Sequence, residues 1–150
     1  MRHRQAIALL ALIGFFIALY LWLHQIGVGG ELRCGTGGCD TVQASRWARQ
    51  LGIPVALYGV VGYAVILAVA LAALRPAALG NPRPARWLLA LSSVGVLFTA
   101  WLTYLELFVI HAICRWCVAS AVVMAAIWGV AIYGVRTEQG ARSTEQQPAP

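Results

Sequence analysis

The sequence predicts an all-α membrane protein: a four-transmembrane-helix bundle with a short amphipathic helix in its first outer loop. Three observations predict it. Four apolar stretches are each long enough to cross a bilayer, which takes roughly 20 mostly apolar residues. Only 11% of the 150 residues are charged and 61% are hydrophobic. An ordinary soluble domain has about 25% charged residues, so polar surface is too scarce here to cover a water-soluble globule. The eleven basic residues, all arginine, stand at the ends of the apolar stretches. A nucleic-acid binder would gather them on one solvated face, so the net charge of +6 is read as membrane orientation and no nucleic-acid partner is expected.

The first span is expected at residues 6–26, where Ala6 to Leu23 carries no charge. Arg2 and Arg4 ahead of an apolar core also fit a secretory signal. Signal cores run about 7 to 15 residues and end at small side chains, whereas Leu19-Tyr20-Leu21-Trp22-Leu23 is a poor cleavage region, so a retained helix is expected. The second span, 53–74, is also free of charge, the third, 87–110, is interrupted only by Glu106, and the fourth covers 113–135. Residues 75–86 read as a proline-rich basic connector, and 136–150 as a disordered cytoplasmic tail after a catalytic membrane domain of residues 1–135. The outer segment opens with Gly27, Gly29 and Gly30. From Thr41 to Leu51 it reads as an amphipathic helix with Val42, Trp47 and Leu51 on one side, lying at the interface.

With the N-terminus in the cytoplasm, the inner side holds Arg2, Arg4, Arg75, Arg83, Arg86, Arg136 and Arg142, and the outer side Arg33, Arg46, Arg49 and Arg115. Glu31 and Asp40 partly offset the outer four. The bias of positive charge towards the inside places both termini in the cytoplasm and all four cysteines outside, as expected for a multi-pass protein of a bacterial inner membrane.

The cysteines form two pairs, Cys34 with Cys39 in a glycine-rich loop and Cys114 with Cys117 at the start of the fourth helix. Disulfides persist outside the cytoplasm, so two structural staples in a non-enzymatic scaffold are one reading. A staple from Cys114 to Cys117 would close a very short loop and remove little unfolded-state entropy, and C-x-x-C pairs are more often redox-active or metal-binding. Near a helix N-terminus, unpaired N–H groups and the adjacent Arg115 favour thiolate over thiol, and thiolate is the attacking species in exchange. The loop glycines permit backbone shapes other residues resist, so each loop sulfur can meet a different partner. The pattern reads as a relay: outside dithiol, loop disulfide, helix-end disulfide, then an acceptor in the lipid. A thiolate metal site with His24 or His111 is the remaining alternative, although neither histidine has regular ligand spacing, and no metal is expected.

The run Cys39-Asp40-Thr41-Val42-Gln43-Ala44-Ser45-Arg46-Trp47, the upstream Cys34 and the late Cys114-Arg115-Trp116-Cys117 resemble the vitamin K epoxide reductase family, most closely its bacterial disulfide-forming members. The other quinone-linked disulfide family with four membrane helices, of the disulfide-bond protein B type, carries its C-x-x-C in the first outer loop, the reverse of the order here. The resemblance implies that Cys117 faces a membrane quinone, ubiquinone or menaquinone. It also implies that Cys114 exchanges with Cys39, and that Cys34 meets an external thiol partner. Ser45 matches a family serine or threonine near the reacting sulfur and quinone. Vertebrate members carry an asparagine and a tyrosine where Val55 and Ala121 stand here, so a simple quinone is the expected acceptor in place of vitamin K epoxide. Many bacterial relatives carry a fused thioredoxin-like domain; here a separate thioredoxin-like protein outside the cytoplasm is expected as partner.

On the third helix Ser92, Thr99, Thr103 and Glu106 share one face. Serine and threonine commonly face neighbouring helices in membranes. A carboxylate in a span usually lines a cavity or proton path, so Glu106 is expected to supply protons as the quinone is reduced. The competing reading places it at the outer interface beside Arg115. Tyr58, Tyr63 and Trp116 are expected to wall a mostly apolar pocket, and Gly59 and Gly62 to let helices approach closely.

Overall fold

A computed structural model describes residues 2–28, 38–76 and 81–145. Cys34, Gly29 and Gly30, the middle of the 75–86 connector and the last five residues lie outside the described residues. Among the described residues four helices are long and apolar enough to cross a membrane. They are α1 (Arg2–Gln25), α3 (Val55–Ala73), α4 (Arg83–Leu105) and α5 (Arg115–Glu145), with α2 (Gly38–Ala44) between the first two. The chain is therefore an all-α membrane bundle. Around the bundle α1 packs on α3 and α5, and α4 packs on α5 and more thinly on α3.

Small residues set the helix spacing. Ala8, Ala11, Ala18, Ala70 and Ala131 are buried with Ile7, Tyr63, Ile66, Leu88, Met124 and Ile127, and short side chains let membrane helices meet closely where lipid supplies no hydrophobic driving force. Gly14 takes this furthest: a Cβ there would lie 2.4 Å from Cζ of Tyr63, so only glycine leaves room for the ring. Gly59 brings α3 against Ala18, as expected, whereas nothing approaches Gly62 within 4 Å.

At the end away from the cysteines, buried Arg4 donates to Ala73 O at 2.6 Å and to Glu138 Oε1 at 2.7 Å. One guanidinium thus satisfies a terminal carbonyl of α3, which has no partner within its own helix, and a carboxylate on α5. The expected disordered tail is corrected for residues 136–145, which continue α5. At 31 residues and 1.5 Å per residue, α5 is about 46 Å long. Its end therefore projects beyond the roughly 30 Å hydrocarbon layer, and the Arg4–Glu138 pair holds that turn against α1.

The amphipathic helix expected at Thr41–Leu51 is not formed as such. α2 begins earlier and stops at Ala44, because Ser45 turns extended (φ −68°, ψ 153°) and its hydroxyl donates to Val42 O at 2.7 Å. A 3₁₀ turn (Arg46–Ala48) follows, and then a hairpin of β1 (Arg49–Gln50) and β2 (Ile53–Pro54), with Gln50 opposite Ile53. Leu51 (φ 55°) and Gly52 (φ 80°) make its tight turn, two positive φ values being what a two-residue hairpin needs. Val42 is buried as expected, but Leu51 stands 96% exposed at the tip.

Candidate active site at the cysteine end of the bundle

Cys114 is the N-cap of α5. Its carbonyl accepts the first helical bond, from Val118 N at 2.9 Å, and its sulfur accepts the backbone N–H of Cys117 at 3.3 Å. The sulfur thus does the work of a capping oxygen. Cys114 is buried, its thiol is free, and the Cys117 thiol hydrogen bond beside it draws its pKa below the ordinary thiol range. Cys117, also free and half-buried, stands one turn further along.

The loop is brought to this point by a close approach. A Cβ on Gly38 would lie 2.5 Å from Ile113 O, so only glycine lets the start of α2 rest on the strand of backbone that enters α5. Cys39, disulfide-bonded, is buried with Cys114, Leu21, Val42 and Ala56 in one cluster. One turn after Cys39, Gln43 directs its side-chain N–H to Cys117 Sγ at 3.9 Å, and its carbonyl is engaged by the amide of Gln25 at the end of α1.

Glu106 closes the site from below. α4 ends in a π-helical turn (Glu106–Ile110), terminated by His111 in the left-handed region with its N–H, and that of Ala112 at 3.2 Å, on Glu106 O. Such turns recur at functional sites because they shift side-chain register. The Glu106 carboxyl, on the cavity face of α4 with Thr99 and Thr103, points inward: Oε2 accepts the buried N–H of Cys114 at 3.2 Å, and the carboxyl also meets the Cys117 thiol. Glu106 is therefore buried in the site and does not reach the interface, while Arg115 is exposed.

Beneath these groups a cavity of about 600 Å³ runs between α3 and α4, within the range of small-molecule sites. Cys117, Glu106, Gln43 and Ser45 line one end; Trp87 and Leu91 line the other. Tyr58 and Tyr63 are in its wall, and so are Val55 and Ala121. Tyr63 donates to Ser120 O at 2.7 Å, and Tyr58 reaches Gln50 O at 3.4 Å. Thr99 and Thr103 face the cavity with Glu106, while buried Ser92 bonds Leu89 O and does not line it. Ser45 lines the cavity, but its proton is given to Val42 O, which leaves its oxygen as an acceptor.

Trp116 departs from its expected place. Its ring packs on Tyr20 of α1, centroids 5.1 Å apart, and does not line the cavity. Successive helical residues point about 100° apart, so with Cys117, Ser120, Ala121 and Met124 on the cavity face the preceding residue must turn away. His24 stands 3.7 Å from Asp40 and His111 is exposed, both off the cysteine pair. Gln43, Gln25 and Ser120 were not among the expected site residues. Gln43 carried a signal, four places after Cys39 on one helix face, whereas Gln25 carried none.

A membrane bundle with a free thiol pair at one helix end, a disulfide-bonded cysteine beside it and a largely apolar cavity below defines a membrane redox protein. The sequence profile of the vitamin K epoxide reductase family matches residues 5–132. The chain belongs to that family, and is a membrane thiol oxidoreductase of the kind linked to quinones.

Proposed function

We propose that this enzyme generates disulfides outside the cytoplasm of a bacterium by carrying electrons from a separate thioredoxin-like protein to a membrane quinone. The observation that carries this reading is the position of the thiol pair between two surfaces. Cys114 is buried in one cluster with the disulfide-bonded Cys39, and Cys117 opens on the cavity.

In the cycle, the partner's dithiol reduces the Cys34–Cys39 disulfide and leaves with a disulfide of its own. A thiolate at Cys39 then attacks an oxidised Cys114–Cys117 pair at Cys114, and Cys34 resolves the mixed disulfide, so the loop disulfide reforms and the helix-end pair is reduced. A bound quinone supplies the capacity to accept two electrons and two protons. The cavity residues fit such a group: apolar walls, and at the cysteine end the few polar side chains of Gln43, Ser45 and Glu106. Tyr58 and Tyr63 bound it, Glu106 holds protons beside the thiols, and Trp116 supports the helix from behind. Val55 and Ala121 present no polar group, which favours a plain quinone, ubiquinone or menaquinone. The arginine distribution supports an orientation with both termini in the cytoplasm and the cysteines outside.

The test is quinone-dependent oxidation of a reduced thioredoxin-like protein by the purified chain. Cys117→Ala abolishes quinone reduction with every donor, whereas Cys34→Ala spares oxidation of small dithiols and blocks the protein donor. Equal loss in both assays would overturn the order of transfer, and cysteines that resist both dithiol and quinone would make the disulfides structural.

A further inference from the structure

The Cys117 sulfur lies between a hydrogen-bond donor and an acceptor that arrive from different parts of the chain. On the loop side, Gln43 Nε2 reaches Sγ at 3.9 Å, and the Gln25 amide engages the Gln43 carbonyl. That second bond decides which end of the Gln43 amide faces the sulfur: the carbonyl is taken, so the NH₂ group, a donor only, is presented. On the helix side, the Glu106 carboxyl meets the same thiol while Oε2 is fixed by Cys114 N–H at 3.2 Å. A thiol needs an acceptor for its proton; a thiolate needs a donor. Cys117 has the donor in Gln43 and the carboxyl acceptor in Glu106, beside the Cys114 sulfur to which its thiol also hydrogen-bonds and which the test variant below removes.

Building on the relay described above, we propose that Gln43 is a catalytic residue that acts with Glu106 as a two-sided proton switch at Cys117. The S–H bond breaks, the proton passes to the Glu106 carboxylate as an O–H bond, and the electron pair stays on sulfur, where the Gln43 N–H hydrogen-bonds to it. No electron leaves the protein in this step. Gln25 touches no reacting atom and is a positioning residue that aims Gln43. Gln43 and Cys39 stand one turn apart on α2, so the segment that delivers electrons to Cys114 also carries the donor for Cys117. A loop that leaves its seat takes that donor with it.

The two partners have opposite signs, and this makes the proposal testable without quinone. In full-length protein in lipid nanodiscs carrying Cys114→Ser, with the loop disulfide intact, Cys117 is the free thiol, and its alkylation by iodoacetamide at pH 7 reports its thiolate fraction. Gln43→Leu removes a charge-assisted hydrogen bond and lowers the rate about tenfold. Gln43→Asn, polar but too short, does the same, which separates reach from loss of packing. Glu106→Gln removes the negative charge beside the sulfur and raises the rate severalfold. Gln25→Leu shifts the rate in the direction of Gln43→Leu, by less. A rate within twofold for both Gln43 variants, or Gln43→Leu and Glu106→Gln moving the rate the same way, would overturn the switch. Quinone reduction by protein with all four cysteines, measured in parallel, separates the two claims. Opposite shifts without quinone reduction would leave the switch and remove the relay; quinone reduction with unmoved rates would do the reverse.

Discussion

The backbone N–H of Cys114 donates to the Glu106 carboxyl at 3.2 Å, across the turn that joins the third membrane helix to the fourth. The bond ties the thiol that faces the loop to the carboxyl that faces the cavity. Between the two residues the chain passes through the π-helical turn at Glu106–Ile110 and the left-handed His111.

Glu106→Leu strands that buried N–H, and an unsatisfied buried donor costs about 1–3 kcal/mol. Glu106→Gln keeps an acceptor and is expected to retain most of the stability while losing proton transfer. Thermal unfolding in detergent separates the pair: a clear drop for leucine and a small one for glutamine. If Glu106→Gln kept full quinone-dependent turnover with an unchanged pH profile, the proton role would fall.

Gly38→Ala places a methyl group 2.5 Å from Ile113 O, and overpacking of this kind typically costs about 1–3 kcal/mol. The loop gives way before the helices do. Electron transfer from the loop to Cys114 is therefore expected to slow at least severalfold, while quinone oxidation of an already reduced Cys114–Cys117 pair proceeds as before. Stopped-flow measurement of the two half-reactions shows whether the loss is confined to the first.

The Cys114 thiol sits below the ordinary thiol range, first because of the Cys117 thiol hydrogen bond. A depressed pKa means that thiolate persists as pH falls, so the Cys114 exchange rate with a small disulfide is expected to hold its plateau to lower pH than an ordinary cysteine, whose pKa is about 8.5. Cys117→Ala removes the donor and moves the profile back up. A profile unchanged by that substitution would assign the shift to the helix N-terminus alone.

Ala121 lines the cavity one turn beyond Cys117. Ala121→Phe fills space where a quinone ring would rest, so KM for quinone is expected to rise at least tenfold with exchange between loop and Cys114 intact. An unchanged KM would move the acceptor out of this cavity.

The fold was legible because span length and charge placement are set by the bilayer and need no tertiary knowledge. The four stretches read from composition correspond to α1, α3, α4 and α5, and Cys39 gathers with Cys114 and Cys117 at one end. Three features were less legible. The helix expected at Thr41–Leu51 broke because the Ser45 hydroxyl competes for a helical carbonyl, a local choice that periodicity does not register. The turns after Val135 stayed helical because Glu138 meets Arg4, a partner 134 residues away. Trp116 faces Tyr20 because the cavity face of α5 is centred on Cys117, Ser120, Ala121 and Met124, and the residue before Cys117 falls on the α1 side of that arc. Glu106 was singled out by its cost in a span, but its contact with Cys114 is made across a turn of backbone, eight residues on, that side-chain spacing does not announce.

The most direct test of the relay is to trap its middle. Cys117→Ala leaves Cys114 without its partner sulfur, so in the reverse of the proposed step its thiolate attacks the intact loop disulfide at Cys39 and no helix thiol can resolve the bond. Non-reducing peptide mass spectrometry without added thiol should find Cys39 linked to Cys114 with Cys34 released as a free thiol. A link from Cys39 to Cys117 in Cys114→Ala, with none to Cys114 in Cys117→Ala, would contradict the account.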